Sequence, residues 1–126
     1  MKKLVVAGAL IFSGTTFAGC NFGNSEALTI GDFEYMEKSD LTKYYCGSMV
    51  TVKMYDSLAS DFKNSMPSLA KNYVKGGGMC RTEIKRTSMV LAKKYGVSKK
   101  QLDEMVNIIN GKATGDNIQR CQAVAN

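Results

Sequence analysis

Residues 40–62, DLTKYYCGSMVTVKMYDSLASDF, decide the fold of this chain. Apolar side chains recur there at every fourth position: Cys46, Val50, Met54, Leu58 and Phe62. Residues at that spacing lie on one face of an α-helix, whereas a strand would alternate at every second position. The pattern predicts a long amphipathic helix over residues 41–62, with Asp40 as its N-cap.

Two more helices are predicted on the C-terminal side of this one. Pro67 suits the first turn of a second helix, where its missing amide hydrogen has no helical partner to lose. The glycines at positions 76–78 are strong helix breakers, and we expect the second helix to end there. A third helix is then predicted over residues 79–95, with Gly96 as its C-terminal cap.

The last part of the chain carries two further helix starts. Ser98 and Gln101 form a capping-box pattern at the start of a fourth helix, and Asp116 can cap a short fifth helix. Five helical segments joined by short turns predict an all-α fold, a small disulfide-linked bundle of four to five helices over residues 40–126.

The N-terminal residues have the composition of a bacterial signal peptide. Two lysines precede an apolar run over residues 4–12, and small residues follow up to Ala18 and Gly19. A membrane-spanning helix needs about twenty apolar residues, which this run does not reach. We therefore predict that residues 1–19 are a signal peptide cleaved after Ala18 or Gly19. Residues 20–39 are predicted to form a partly ordered arm or tether.

Two forms of the mature N-terminus are consistent with the sequence. Cleavage after Ala18 gives a soluble periplasmic protein. Alternatively, residues 17–20, Phe-Ala-Gly-Cys, resemble the lipobox of bacterial lipoproteins, although Phe17 replaces the usual leucine. That resemblance implies a membrane-anchored protein with lipid on Cys20. An even number of cysteines slightly favours the soluble form, because a lipidated Cys20 leaves an odd thiol.

The four cysteines are too far apart in sequence for a structural zinc site, and the chain contains no histidine. We therefore predict no metal and no cofactor.

In an oxidising compartment the cysteines are expected to pair. A second helix that folds back along the first would return Cys80 to the level of Cys46. The prediction is a Cys46–Cys80 disulfide, with Cys20 and Cys121 as a second pair.

Charge is distributed unevenly along the chain, whose net charge is +6. Between positions 81 and 100 there are seven cations and one acid, Glu83. The cations are Arg81, Lys85, Arg86, Lys93, Lys94, Lys99 and Lys100. In residues 26–40 the balance is reversed, with five acids and one cation, Lys38. The simpler interpretation is a solvated helix face with an arm folded onto it. The functional interpretation is that these seven cations bind an anion or an acidic partner.

Catalysis has little support in the sequence. Without histidine, the usual general base near neutral pH is missing. A carboxylate-based hydrolase could use Asp32 with Glu34, or Asp103 with Glu104, but a place in the arm or at a helix start explains both pairs. We predict a non-enzymatic protein without catalytic residues.

Residues 92–102 resemble the core of a DNA-binding helix-turn-helix, with Ala92, Gly96 and Leu102 at the small, turn and packing positions. An exported protein does not meet the genome, so we predict no nucleic-acid partner.

The sequence thus predicts a small exported protein of the periplasm, soluble or anchored through Cys20, which serves as a binding, assembly or inhibitor module. Its expected partner is another envelope or secreted protein. The alternative is binding of anionic lipid or envelope polymer through the basic third helix.

Overall fold

The computed structural model describes Cys20, residues 26–111 and residues 115–126, and within these residues the secondary structure is entirely helical. The helices are α1 (Ile30–Glu34), α2 (Lys38–Phe62), α3 (Pro67–Tyr95), α4 (Lys99–Gly111) and α5 (Gly115–Val124). Helices α2 and α3 form a long antiparallel hairpin, α1 packs on α3, and α4 and α5 pack on each other and on α2. The predicted all-α fold is confirmed. The signal-peptide residues 1–19 lie outside the described residues.

Helix α3 runs without interruption through the three glycines, so the prediction that a helix ends at residues 76–78 is wrong. Each glycine inside a helix costs about 1 kcal/mol relative to alanine. Packing offsets this cost at Gly77, which is buried against α2. A Cβ atom there would lie 3.2 Å from Arg81 Nη1 and 3.3 Å from Asp56 Oδ1. The small residue therefore leaves room for the Arg81–Asp56 salt bridge between the two long helices.

The predicted helix ends are partly confirmed. Pro67 lies in the first turn of α3, and Gly96 ends it with a left-handed φ of 70°. Ser98 and Gln101 exchange side chain–backbone hydrogen bonds of 3.1 and 2.8 Å at the start of α4. Helix α2 ends at Phe62 as predicted, but it begins at Lys38. The predicted N-cap Asp40 lies instead in its first turn, where a negative charge interacts favourably with the helix dipole.

The arm predicted at residues 20–39 is more ordered than expected in its described part. Residues 30–34 form α1, which Thr29 and Asp32 cap by reciprocal hydrogen bonds. Phe33 is fully buried, and its ring meets that of Tyr44 edge to face with centroids 5.2 Å apart. Tyr35 remains 92% exposed. The arm thus anchors one of its aromatic rings in the core.

The distribution of buried side chains distinguishes two regions of the α2–α3 hairpin. The first, which we call the base, contains α1, α4, α5, the N-terminal half of α2 and the C-terminal half of α3, and these share one cluster of buried apolar side chains. A smaller cluster of Cys20, Tyr55 and Cys80 lies further along the hairpin. Beyond it, no side chain of residues 56–69 is buried. We call these residues the projecting end.

The structure corrects the predicted disulfide pairing. Cys46 bonds to Cys121, which joins α2 to α5, and Cys20 bonds to Cys80 of α3. Cys80 lies near the level of Cys46 along α2, as predicted. Its sulfur is 3.6 Å from the carbonyl oxygen of Ser48, two residues after Cys46. However, residues two apart in a helix point about 200° away from each other. Cys80 therefore faces the side of α2 opposite to Cys46.

Candidate interaction surface

The seven cations predicted to bind an anion do not form one surface. Arg81 and Lys99 form exposed salt bridges with Asp56 and Asp103, at 2.5 and 3.1 Å. Arg86 and Lys94 donate hydrogen bonds to backbone carbonyl groups of the arm. Three exposed cations make no hydrogen bond or ion pair with a described residue: Lys85, Lys93 and Lys100.

The arm lies on α3 through contacts to its backbone. Glu83 Oε2 accepts a hydrogen bond from the Leu28 N–H at 2.8 Å, and Arg86 donates one to the Leu28 carbonyl oxygen at 2.7 Å. Further along, the Tyr95 hydroxyl donates to the Met36 carbonyl oxygen at 2.6 Å. Arg86, one of the predicted surface cations, is therefore part of the internal structure.

Glu83, the one acid of α3, is buried beneath this arm. The Tyr44 hydroxyl donates a hydrogen bond of 2.6 Å to its Oε1 atom. Burial raises the pKa of Glu83, whereas the hydrogen bonds from Tyr44 and the Leu28 N–H and the nearby Arg86 charge oppose the rise. Burial, together with the Glu83 charge, also raises the pKa of Tyr44. The pair is buried and joins α2, α3 and the arm.

A continuous helix through the glycines creates a surface that the sequence analysis missed. At 100° per residue, nine residues between positions 71 and 93 share an arc of about 100° on the side of α3 away from the core. They are Lys71, Val74, Lys75, Gly78, Thr82, Lys85, Met89, Ala92 and Lys93. We call this set the outward face of α3. It is about 33 Å long, given a rise of 1.5 Å per residue.

The outward face is basic with exposed apolar side chains in it. Its four lysines are exposed, and no acid accompanies them, because Glu83 points inward. Val74 and Met89 expose 62% and 40% of their surface. Lys71 and Lys75 were assigned to a separate helix in the sequence analysis. The four-then-three spacing of positions 71, 75, 78, 82, 85 and 89 could have placed them on the same face as Lys85.

One carboxylate of each predicted pair has a structural role. Asp32 caps α1, and Asp103 pairs with Lys99 one turn earlier in α4. A shallow depression of about 370 Å³ lies between α4 and α5, lined by residues that include Glu104, Asn117 and Arg120. Within the described part of the chain, no group of three potential metal ligands comes together.

The segment that resembles a helix-turn-helix is explained by helix capping. Gly96 ends α3, and the Val97 N–H donates to the Leu91 carbonyl oxygen at 3.0 Å. The Val97 side chain is 3% exposed and belongs to the core.

The two disulfides indicate an extracellular or otherwise oxidising compartment. Among the described helices, none is long and apolar enough to cross a membrane. No protein-family model, curated protein or solved structure matches this chain.

Proposed function

We propose that the protein is an exported, non-enzymatic module of the bacterial cell envelope, which binds an acidic surface of another envelope or secreted protein. The outward face of α3 is the binding surface. The observation that carries the proposal is the charge of this face: lysines line a helix of 29 residues whose sole acid is buried. A field of one sign accelerates encounter with an oppositely charged partner.

Export is supported by two independent features. The N-terminal sequence, with Lys2 and Lys3 before an apolar run, has the organisation of a signal peptide. The disulfides of the folded chain need an oxidising compartment, and the bacterial periplasm is one. We place the protein there.

The exposed apolar side chains favour a protein partner over a lipid surface. Helices that lie in a membrane interface bury a broad apolar face, rich in large side chains such as Trp, Phe and Leu. The apolar face of α3 is already buried against α2, and Val74 and Met89 are the exposed large apolar side chains of its outward face. Val74 and Met89 lie about 22 Å apart along α3, each with lysines nearby. This alternation of apolar and basic side chains suits a protein surface on which acidic residues surround apolar contacts.

The test compares two variants with the same net charge. Lys85→Glu with Lys93→Glu reverses two charges on the outward face. Lys43→Glu with Lys63→Glu reverses two exposed charges elsewhere. A photo-crosslinker at Met89 should capture an acidic envelope protein in cells carrying the wild type or the control, and the capture should be at least tenfold weaker in the Lys85/Lys93 variant. Equal capture in both variants would contradict the proposal.

Binding to anionic lipid is the second candidate, because the exposed lysines of the outward face could contact phosphate groups. It is tested by co-sedimentation with vesicles of phosphatidylglycerol and phosphatidylcholine, against vesicles of phosphatidylcholine alone. We expect no difference between the two vesicles at 0.15 M salt. Co-sedimentation that requires phosphatidylglycerol and is lost in the Lys85/Lys93 variant would favour lipid.

A further inference from the structure

We infer that the signal peptide is removed by a cut after Ala18, so that Gly19 is the first residue of the mature protein and Cys20 is a disulfide cysteine without lipid. In this cut, water adds to the Ala18–Gly19 peptide bond and leaves a carboxylate on Ala18 and an amino group on Gly19. Both residues lie outside the described part of the chain. The inference rests on the proposed export but not on the proposed binding surface, and the argument comes from the surroundings of Cys20.

The sulfur of Cys20 takes part in a disulfide bond. It bonds to the sulfur of Cys80, with the two Cα atoms 5.2 Å apart, inside the range of ordinary disulfides. Forming this bond removes two protons and two electrons from the thiols, and thiol–disulfide exchange passes them to a disulfide-bearing oxidant of the compartment. A lipoprotein cysteine carries its lipid as a thioether on the same sulfur atom. The two modifications therefore exclude each other.

The backbone nitrogen of Cys20 distinguishes the two cleavage positions. Its N–H donates a buried hydrogen bond of 3.2 Å to Ser48 Oγ, and the residue as a whole is 8% exposed. A cut after Gly19 would convert this amide into a free α-amino group, which is charged below a pKa of about 8. Burial of a charge without a charged partner is strongly unfavourable. A cut after Ala18 leaves the Cys20 amide neutral and places the new charge on Gly19.

The surrounding side chains leave Cys20 little freedom. Tyr55 and fully buried Cys80 form a cluster with it, against which Val52 and Tyr73 pack. Acyl chains on Cys20 would have to open this cluster and would leave Cys80 as a buried thiol without its bond. The disulfide, the buried amide and the packing of Cys20 thus all favour a mature protein that begins at Gly19 and carries no lipid.

The experiment is to express the full chain with its own signal in a bacterial host, and to map the wild-type protein of the periplasmic and membrane fractions by mass spectrometry without reduction. We expect Gly19 as the N-terminal residue, no added lipid mass, and the Cys20 peptide joined to that of Cys80. An N-terminal Cys20, a lipid on it, or an uncleaved chain would overturn the inference.

Two single substitutions extend the test. Cys80→Ser should leave Cys20 as a thiol that reacts with maleimide after denaturation, and still without lipid. Cys121→Ser should instead free Cys46 and keep Cys20 joined to Cys80. Lipid on Cys20 in the Cys80→Ser protein would overturn the inference. If that variant does not accumulate, the wild-type peptide map alone decides.

Discussion

The base and the projecting end are parts of the same two helices, yet different interactions hold them. In the base, α2 and α3 share a core with α1, α4 and α5, and Leu41 and Leu91 are fully buried. In the projecting end no side chain is buried, and the Phe62 ring stacks on that of Tyr73, just outside this region, with the ring centroids 6.3 Å apart. A long helix pair can therefore be regular throughout and still be unevenly stabilised.

Removal of the Cys46–Cys121 disulfide should have the largest effect, since this bond ties α5 to α2 inside the base. The bond closes a loop with a sequence separation of 75 residues. Chain entropy predicts a stabilisation of about 4 kcal/mol for a loop of this size. We expect Cys46→Ala with Cys121→Ala to lower the free energy of unfolding by about that amount in urea titrations. A loss below about 1 kcal/mol would mean that the core alone determines the base.

A matched pair of leucines in α3 tests the difference between the regions directly. Leu91 is fully buried in the base, whereas Leu69 is partly buried in the projecting end. Leu91→Ala should cost about 3 kcal/mol of unfolding free energy, as is typical for a core leucine. Leu69→Ala should cost about 1 kcal/mol, because less apolar surface is lost. Urea unfolding of both variants measures the difference, and equal losses would contradict the division into two regions.

Alanine substitutions at the adjacent glycines Gly77 and Gly78 should have smaller effects on stability, and the two effects should differ. No atom lies within 4 Å of a Cβ at Gly78, so Gly78→Ala should raise stability by up to about 1 kcal/mol through helix propensity alone. At Gly77 the added methyl group meets the Arg81 and Asp56 side chains, and we expect no gain. Thermal unfolding of the two variants is sufficient to compare them. A larger gain from Gly77→Ala than from Gly78→Ala would mean that the space Gly77 leaves for the Arg81 and Asp56 side chains is unimportant.

The buried Glu83 of the base should change the pH dependence of stability. Its pKa is raised by burial, so the folded chain holds this proton more tightly than the unfolded chain does. The contribution of this tighter proton binding to the free energy of unfolding is complete below the unfolded pKa of about 4.3. It is lost as pH rises through the higher folded pKa. Relative to wild type, Glu83→Gln should therefore gain stability as pH rises from 4 to 8 in urea titrations. Glu104→Gln, which removes an exposed carboxylate, is the control; equal pH profiles for Glu83→Gln and wild type would refute the expectation.

Local signals predicted several helix ends correctly, and long-range contacts explain why the break at residues 76–78 is absent. Pro67, Gly96 and the Ser98–Gln101 pair act within one turn, so their effect is visible in the sequence. The glycines at 76–78 signal a break locally, but the packing of Gly77 against α2 overrides that signal. The disulfide pairing failed because the level of Cys80 along α2 could be inferred, whereas the side of α2 that it faces could not.

The same difference between local and long-range information explains the candidate surface. The excess of cations after residue 80 was visible in the sequence. Which of them are free depends on the arm, since Arg86 and Lys94 contact its backbone. The membership of Lys71 in the outward face depends on the unbroken α3, which the glycine run concealed.

The contacts between α3 and the arm determine which arm residues tolerate substitution. The contacts from Glu83, Arg86 and Tyr95 engage peptide groups, which every amino acid other than proline supplies alike. Residues such as Glu34 and Tyr35 are thus free to mutate with little penalty, whereas Phe33 must keep a large apolar ring. A saturation library over positions 28–36 should be least tolerant at Phe33 and most tolerant at Glu34 and Tyr35.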